Sequence, residues 1–200
     1  MTPVPETKQR RAHTLHALWP FGIILLLAVP ALYPLLGDWF TCGYDNSFHL
    51  WRAVEVHNLL GQGVLFPRWA ADMAHGYGFL LFNFVSPLSA YVAAGLRFAG
   101  LPWAGAINGT FALGLLLSGF TVYLFVRDHF GRAAGLVSAV AYMYAPFQAY
   151  DVFNRGGMSQ AFAWWLPPLL LWSLSRWRGR RGGVVILLVA ALSLAALILT

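Results

Sequence analysis

The chain has 200 residues, of which 59% are hydrophobic and 10% are charged. Soluble domains usually carry about 25% charged residues, so this composition favours a membrane protein. The net charge of +6 does not indicate nucleic acid as a partner. Most basic residues lie at the ends of apolar runs, where membrane proteins use them to set their orientation. The single cysteine, Cys42, excludes an internal disulfide.

The first 36 residues predict a cytoplasmic tail followed by a membrane anchor. Residues 1–17 are polar and basic and contain two prolines, so we expect a disordered tail. The apolar run 18–36 is longer than the core of a signal peptide and has no clear cleavage site. It predicts an uncleaved first span, with Pro30 and Pro34 kinking its last turns.

Four further apolar runs predict spans at 103–126, 133–150, 159–175 and 183–200. About 20 apolar residues form a helix that crosses a hydrocarbon core of roughly 30 Å. Region 79–99 is also apolar, but a crossing there would move the arginine-rich segment 176–181 outside, whereas basic segments stay inside. We therefore expect 79–99 to lie along the outer interface, with a short helix beginning at Ser86-Pro87.

These runs predict an all-α, polytopic transmembrane helix bundle. The chain would cross the bacterial cytoplasmic membrane several times, as a multi-pass protein, with its N-terminus in the cytoplasm. A transmembrane domain would cover 18–200, and a long outer loop, 37–102, would carry interfacial helices. A short second outer loop covers about 151–158. Acidic side chains in these loops then face one side as a reaction surface.

The stretch after the first span contains three chemically active side chains on one helical stripe. Asp45, His49 and Arg52 are spaced i, i+4 and i+7. A carboxylate, an imidazole and a guanidinium so placed suit a base or metal ligand, a proton relay and a phosphate clamp. The alternative is structural: Asp45 caps the helix, and Arg52 pairs with Glu55 or with a lipid phosphate.

Two later clusters add candidates. Arg68, in Pro67-Arg68-Trp69, is predicted to bind substrate. Asp72 and His75 follow it, but two ligands are too few to specify a metal. In the second outer loop, Arg155 is a natural anion clamp beside two glycines. Asp151 is either a second acidic site residue or a solvated loop carboxylate.

The order of these motifs resembles the GT-C superfamily of multi-pass membrane glycosyltransferases. The resemblance is closest to a bacterial membrane family labelled pyruvoyl-tetrahydropterin-synthase-related, and it covers about residues 18–175. It rests on five segments: Tyr44–Ala53, Pro67–Trp69, Gly76–Leu88, Phe130–Arg132 and Arg155–Gly157.

This resemblance implies transfer of a sugar from a polyprenyl-phosphate donor to an acceptor on the outer membrane face, with inversion at the anomeric carbon. It assigns Asp45 as the catalytic base or as a ligand of a divalent metal, Mg or Mn. Asp151 would support Asp45, and Arg155 would face the donor phosphate. Where relatives tend to carry an acid after the Arg-Gly pair, this chain has Gln160.

The resemblance also implies further spans, so the chain is expected to be truncated at its C-terminus. The alternative function is a non-catalytic membrane protein, or a fragment, that binds or handles lipid-linked glycans. In both cases the expected partners are membrane lipid and a polyprenyl-phosphate-linked sugar in the cell envelope. The predicted substrate-binding residues are His49, Arg52, Arg68 and Arg155.

Overall fold

The computed structural model describes residues 6–179 and 182–200, and in them the chain forms nine α-helices. Their bounds are α1 Glu6–Leu32, α2 Asn46–Gly61, α3 Leu88–Phe98, α4 Trp103–Phe130, α5 Arg132–Met143, α6 Pro146–Tyr150, α7 Met158–Ala163, α8 Leu166–Arg178 and α9 Val184–Ile198. Within this part of the chain the sole β-type pairing is an isolated bridge between Ala70 and Phe79. The prediction of an all-α helix bundle is confirmed.

Helix α4 is the centre of the bundle. Its 28 residues rise about 42 Å, and thirteen of them are buried. At Gly114 a Cβ atom would come within 2.7 Å of the Ala161 carbonyl oxygen on α7. At Gly119 it would lie 2.6 Å from the Met143 sulfur on α5. Small residues therefore let α7 and α5 pack directly on the α4 backbone.

The other long helices run alternately up and down beside α4. Phe21 on α1 packs against Phe120 and Tyr123, whereas Leu35, just beyond α1, lies in the cluster with Ile107 and Phe111 near the start of α4. Helices α1 and α4 are therefore antiparallel. The same reasoning orients α5 against α4, since Gly135 approaches Tyr123 and Met143 approaches Gly119.

Helix α8 runs in the direction of α4, and α9 returns beside it. Ala161 of α7 lies against Gly114, whereas Arg176 near the end of α8 pairs with Asp128 near the end of α4. At the end of α9 the Leu199 carbonyl oxygen accepts a hydrogen bond of 2.9 Å from the Leu88 backbone N–H. The bundle thus has two ends. We call the end where α4 begins, at Trp103, the site end, because the candidate site described below lies there. We call the end where α4 finishes, at Phe130, the basic end, because Arg176 lies there.

Several predicted spans differ from the observed helices. Span 133–150 is divided between α5 and α6, and span 159–175 between α7 and α8. Proline explains both breaks: Pro146 begins α6, and Pro167 and Pro168 occupy the first turn of α8, where a missing N–H is tolerated. Helix α3 begins at Leu88, two residues beyond Ser86, and its eleven residues rise about 16 Å.

The predicted disordered tail also differs from the structure. Residues 1–5 lie outside the described residues, but the backbone is helical from Glu6 onward as part of α1. Glu, Lys, Gln, Arg and Ala are strong helix formers, which accounts for the continuation of α1 into this polar segment. The helix continues through Pro30, and Pro34 lies in the 3₁₀ turn Tyr33–Leu35 that follows.

In the described residues one helix, α4, is both long and apolar enough to cross a membrane. The segments Trp19–Leu35 and Val184–Ile198 are apolar but shorter. A buried core helix of a soluble protein would meet the same criterion, and half of the apolar window in α4 is buried. Membrane insertion therefore stays a prediction at this point.

The close approach of α7 to α4 makes a testable prediction. Gly114→Ala places a methyl group against backbone atoms, and we expect it to destabilise the protein by about 1–3 kcal/mol. Gly105→Ala on the same helix is the matched control, because its Cβ atom would meet neighbours at 3.4 Å, an ordinary contact. Thermal unfolding of the purified variants measures the difference, and equal unfolding midpoints would contradict the packing described.

Candidate functional site

A cavity of about 570 Å³ lies at the site end of the bundle. Its wall is formed by the beginning of α2, the turn before α7, the start of α7 and the segment 84–86. Three of its lining residues, Asp45, His49 and Arg52, come from the first turns of α2, as their helical spacing predicted. Arg155, from the second predicted outer loop, lines the same cavity.

Two loops are held together by direct backbone contact at the edge of this cavity. The Asp45 N–H donates a hydrogen bond of 2.9 Å to the Arg155 carbonyl oxygen. A Cβ atom at Gly43 would come within 2.4 Å of Gly156 Cα. Gly156 has φ +75°, a conformation that L side chains rarely adopt. The glycines thus let the loop carrying Asp45 dock on the loop carrying Arg155.

Arg155 lies between two carboxylates. Its Nε is 3.6 Å from Asp45 Oδ2, and its Nη1 is 3.3 Å from Asp151 Oδ1. Nη1 also donates to Gln160 Oε1. Residues 151–155 form one π-helical turn, in which the Gly156 N–H bonds back to the Asp151 carbonyl oxygen at 2.9 Å. This turn places Asp151 and Arg155 on the same side of the chain.

The two carboxylates have different surroundings. Asp151 is completely buried, whereas 37% of the Asp45 side chain is exposed. Burial raises the pKa of Asp151, and the neighbouring Arg155 guanidinium opposes that rise. Asp151 is therefore not the solvated loop carboxylate of the alternative interpretation. Asp45 is the carboxylate that a molecule in the cavity can reach.

Two of the structural alternatives for the first cluster, the Asp45 cap and the Arg52–Glu55 pair, are wrong in this geometry. Asp45 occupies the N-cap position of α2, but its side chain makes no capping hydrogen bond and faces Arg155 instead. Glu55 does not pair with Arg52, because Glu55 is buried and accepts the Asp72 backbone N–H at 2.8 Å. Burial raises the pKa of Glu55, and this hydrogen bond opposes the rise.

His49 is a neutral hydrogen-bond donor in the cavity wall. Its Nε2 accepts the Met158 backbone N–H at 3.2 Å, so the proton of the neutral ring resides on Nδ1. Burial, with a further contribution from Arg52, lowers the His49 pKa from 6.5 to about 4. Among the described residues His49 Nδ1 has no partner, although it is buried.

Arg52 lies on the same wall as His49 and is also incompletely paired. Its Nε is buried and has no hydrogen-bond partner in the described part of the chain. Its guanidinium carbon is 5.9 Å from the centre of the Phe48 ring. Buried donors are normally hydrogen-bonded, so the two unpaired donors, on Arg52 and on His49, favour a ligand that accepts hydrogen bonds.

Other predicted residues lie outside the cavity. Arg68 is exposed, and its guanidinium carbon is 5.6 Å from the centre of the Phe66 ring. Asp72 and His75 are also exposed, and neither lines the cavity. The structure therefore gives Arg68 no contact with Asp45 or Arg155, and its predicted role in substrate binding has no support from position.

Sequence reasoning missed part of the cavity lining. Phe48 and Phe84 form an aromatic edge and are 57% and 81% exposed. Ser159 and Gln160, on α7, supply polar atoms. The one sequence signal for this lining was Gln160, which stands where relatives tend to carry an acid after the Arg-Gly pair. In the structure the neutral Gln160 side chain accepts a hydrogen bond from Arg155.

The predicted divalent metal does not fit this arrangement. In the part of the chain that the structure describes, no three His, Cys, Asp or Glu residues cluster closely enough to hold a metal. The space between Asp45 and Asp151 is taken by the Arg155 guanidinium, itself a cation. The chemistry proposed below therefore uses no step through a metal.

Comparisons with known proteins add a distant relative without a described function. No protein-family model matches the chain, and no solved structure matches it. An uncharacterized protein of Lactococcus lactis subsp. cremoris (strain MG1363) is 23% identical over 173 residues. The match covers 84% of this chain and 28% of that protein, so the chain spans less than a third of the relative's length.

The lowered pKa of His49 predicts how stability depends on pH. Between the folded pKa of about 4 and the unfolded value of 6.5, the unfolded state binds more protons. The stabilisation from neutral His49 is therefore complete above pH 6.5 and is lost as the pH falls toward 4. Over this range we expect His49 to contribute about 3 kcal/mol to the pH dependence.

Chemical unfolding at pH 7 and pH 4.5 measures this contribution. His49→Gln should show a smaller loss of unfolding free energy on acidification than the unsubstituted protein. His57→Gln keeps His49 and is the control, because His57 packs on Phe98 outside the cavity. Equal pH dependence of His49→Gln and the unsubstituted protein would show that His49 is not held neutral.

Proposed function

We propose that the protein is embedded in the bacterial cytoplasmic membrane and transfers a sugar from a polyprenyl-phosphate donor to an acceptor at its outer face. The observation that carries this proposal is the cavity in which a reachable carboxylate, Asp45, lies beside two incompletely paired donors, His49 and Arg52. The resemblance to GT-C glycosyltransferases supplies the reaction type.

Exposed apolar side chains support the membrane placement. Large apolar side chains in the predicted spans are exposed on the surface of the bundle. The exposed fraction is, for example, 69% for Leu26, 69% for Val137 and 68% for Leu192. They come from α1, α5 and α9, so the apolar surface is not confined to one helix. Extensive exposed apolar surface is unusual for a soluble monomer and is what lipid would cover.

The distance between the two polar ends also suits a membrane. Phe111, on α4, packs beneath the site with Met158, and Asp128 lies at the basic end of the same helix. Asp128 follows Phe111 by 17 positions along the helix, which corresponds to a rise of about 26 Å, close to a hydrocarbon thickness of roughly 30 Å. Arg127 and Arg176 meet at the basic end, which the positive-inside tendency assigns to the cytoplasm.

Asp45 is the proposed general base. Its carboxylate accepts the proton of the acceptor hydroxyl while that oxygen forms a bond to the anomeric carbon of the donor sugar. The bond between the anomeric carbon and the phosphate oxygen breaks, and polyprenyl phosphate leaves with the electron pair. Attack from the side opposite the leaving group inverts the anomeric configuration.

His49 and Arg52 are the proposed contacts of the donor phosphate. A phosphate oxygen would accept the free Nδ1–H of His49 and the Nε–H of Arg52, and the guanidinium would stabilise charge on the leaving group. Arg155 has fewer N–H groups available to bind the phosphate, because its guanidinium already contacts Asp45, Asp151 and Gln160. We assign Arg155 to positioning Asp45. The exposed Phe48 and Phe84 rings would contact apolar parts of the donor.

The same geometry also favours a second candidate, binding of a lipid-linked glycan without transfer. The ion pair with Arg155 already engages the Asp45 carboxylate, while the donors on His49 and Arg52 have no partner among the described residues. Under this alternative the protein retains a polyprenyl-phosphate sugar but releases no polyprenyl phosphate. Measuring release and retention on the same sample separates the two functions.

The catalytic assignment predicts that Asp45→Asn loses transfer, because the amide cannot accept the proton. We expect a decrease of about 100-fold or more, the usual contribution of a general base. The measurement is transfer of radiolabel from a panel of polyprenyl-phosphate hexoses in membranes containing the protein. Asp72→Asn is the matched control, as Asp72 is an exposed acid outside the cavity. Equal transfer by Asp45→Asn and Asp72→Asn would remove the proposed base.

The membrane topology is tested with cysteine labelling. Cys42 is exposed at the site end, so a membrane-impermeant maleimide should label it from outside intact cells. In a chain carrying Cys42→Ser and Arg178→Cys, labelling should require access from the cytoplasmic side. Labelling of the substituted position 178 from outside would overturn the orientation. Total labelling after detergent treatment controls for the amount of protein.

A further inference from the structure

A second groove lies at the basic end of the bundle, far from the site. It has a volume of about 670 Å³ and lies between the last turns of α4 and α8. Phe125, Leu171 and Leu174 form an apolar wall, and Leu171 and Leu174 are 52% and 42% exposed. His129 and Arg178 add polar groups to the same groove.

Near this groove, in the described part of the chain, the Asp128 carboxylate is fully paired with neighbouring side chains, whereas the Arg178 guanidinium is not. Asp128 is paired with Arg127 at 2.9 Å and with Arg176 at 2.8 Å, and it also accepts the Trp172 indole N–H at 2.9 Å. Its two oxygens are therefore occupied by neighbours. Among the side chains that the structure describes, Arg178 makes no ion pair, and it is exposed beside the apolar wall.

His129 contributes a fixed polar edge. Its Nδ1–H donates to the Phe125 carbonyl oxygen at 2.8 Å, since a carbonyl can only accept. This bond leaves Nε2 as the open ring nitrogen. The ring also lies against Phe125, with 4.9 Å between the two ring centres. Polar and apolar surfaces thus meet within one groove.

We propose that this groove binds one anionic phospholipid of the inner leaflet. An acyl chain would lie along Phe125, Leu171 and Leu174, and the headgroup phosphate would contact Arg178. A headgroup hydroxyl, such as those of phosphatidylglycerol, would donate to His129 Nε2. The apolar wall favours a lipid over a free anion, since a free anion would leave Leu171 and Leu174 exposed. The proposal depends on the membrane placement and orientation proposed above, but not on sugar transfer.

The test is lipid binding by the purified full chain in detergent. Native mass spectrometry would compare phosphatidylglycerol with phosphatidylcholine, and we expect preferential retention of the anionic lipid. Arg178→Gln should weaken phosphatidylglycerol binding about fivefold, the effect of one basic residue at a membrane surface. Arg132→Gln, an exposed arginine at the same end but outside the groove, should change binding less than twofold.

A second pair of variants tests the apolar wall without a change of charge. Leu174→Trp should fill the groove and reduce lipid binding, whereas Val137→Trp, on the exposed face of α5, should not. Equal losses in Arg178→Gln and Arg132→Gln would indicate diffuse charge attraction and overturn the proposal. Competition by glycerol phosphate as strong as that by the whole lipid would indicate an anion site instead.

The two proposals fail separately. Arg178 lies at the opposite end of the bundle from Asp45, so Arg178→Gln should leave sugar transfer unchanged. Normal transfer with no anionic-lipid preference would reject the groove proposal alone. Retained lipid preference with no transfer by the unsubstituted protein would reject the enzymatic proposal alone.

Discussion

The site depends on one guanidinium placed between two carboxylates. Asp45 and Asp151 come from loops about a hundred residues apart in sequence, and each would repel the other if they met without a cation. Arg155 contacts both, at 3.6 and 3.3 Å. Because Asp151 is completely buried, its ionised form requires this partner. The π-helical turn that contains both Asp151 and Arg155 is therefore integral to the site.

Close backbone contact makes that charge arrangement geometrically possible. Gly43 and Gly156 approach so closely that a side chain on either would collide with the facing loop. The contact brings the beginning of α2 to the second loop and directs Asp45 toward Arg155. His49 follows one turn later and accepts the Met158 N–H, which joins α2 to α7 a second time. The cavity exists because α2 is attached at these two points.

Helix α4 separates this cavity from the basic end. Its buried face contacts α1, α5 and α7, and its two termini take part in different chemistry. Near its start, Asn108 donates to the Trp39 carbonyl oxygen in the loop before α2. Near its C-terminus, Asp128 forms ion pairs with Arg127 of α4 and Arg176 of α8. Such a division suits a protein that would present one end to lipid-linked substrates and the other to the cytoplasm.

The sequence by itself determined the helical class and the shared stripe of Asp45, His49 and Arg52, because both follow from local periodicity. Tertiary structure decided which candidates meet. Gln160 and Phe84 reach the cavity from distant segments, and no local pattern encodes that approach, whereas Arg68 remains outside although its motif looked equally suited. Hydropathy averaged over a window also concealed the breaks at Pro146 and Pro167, since it measures apolarity and not hydrogen bonding along the backbone.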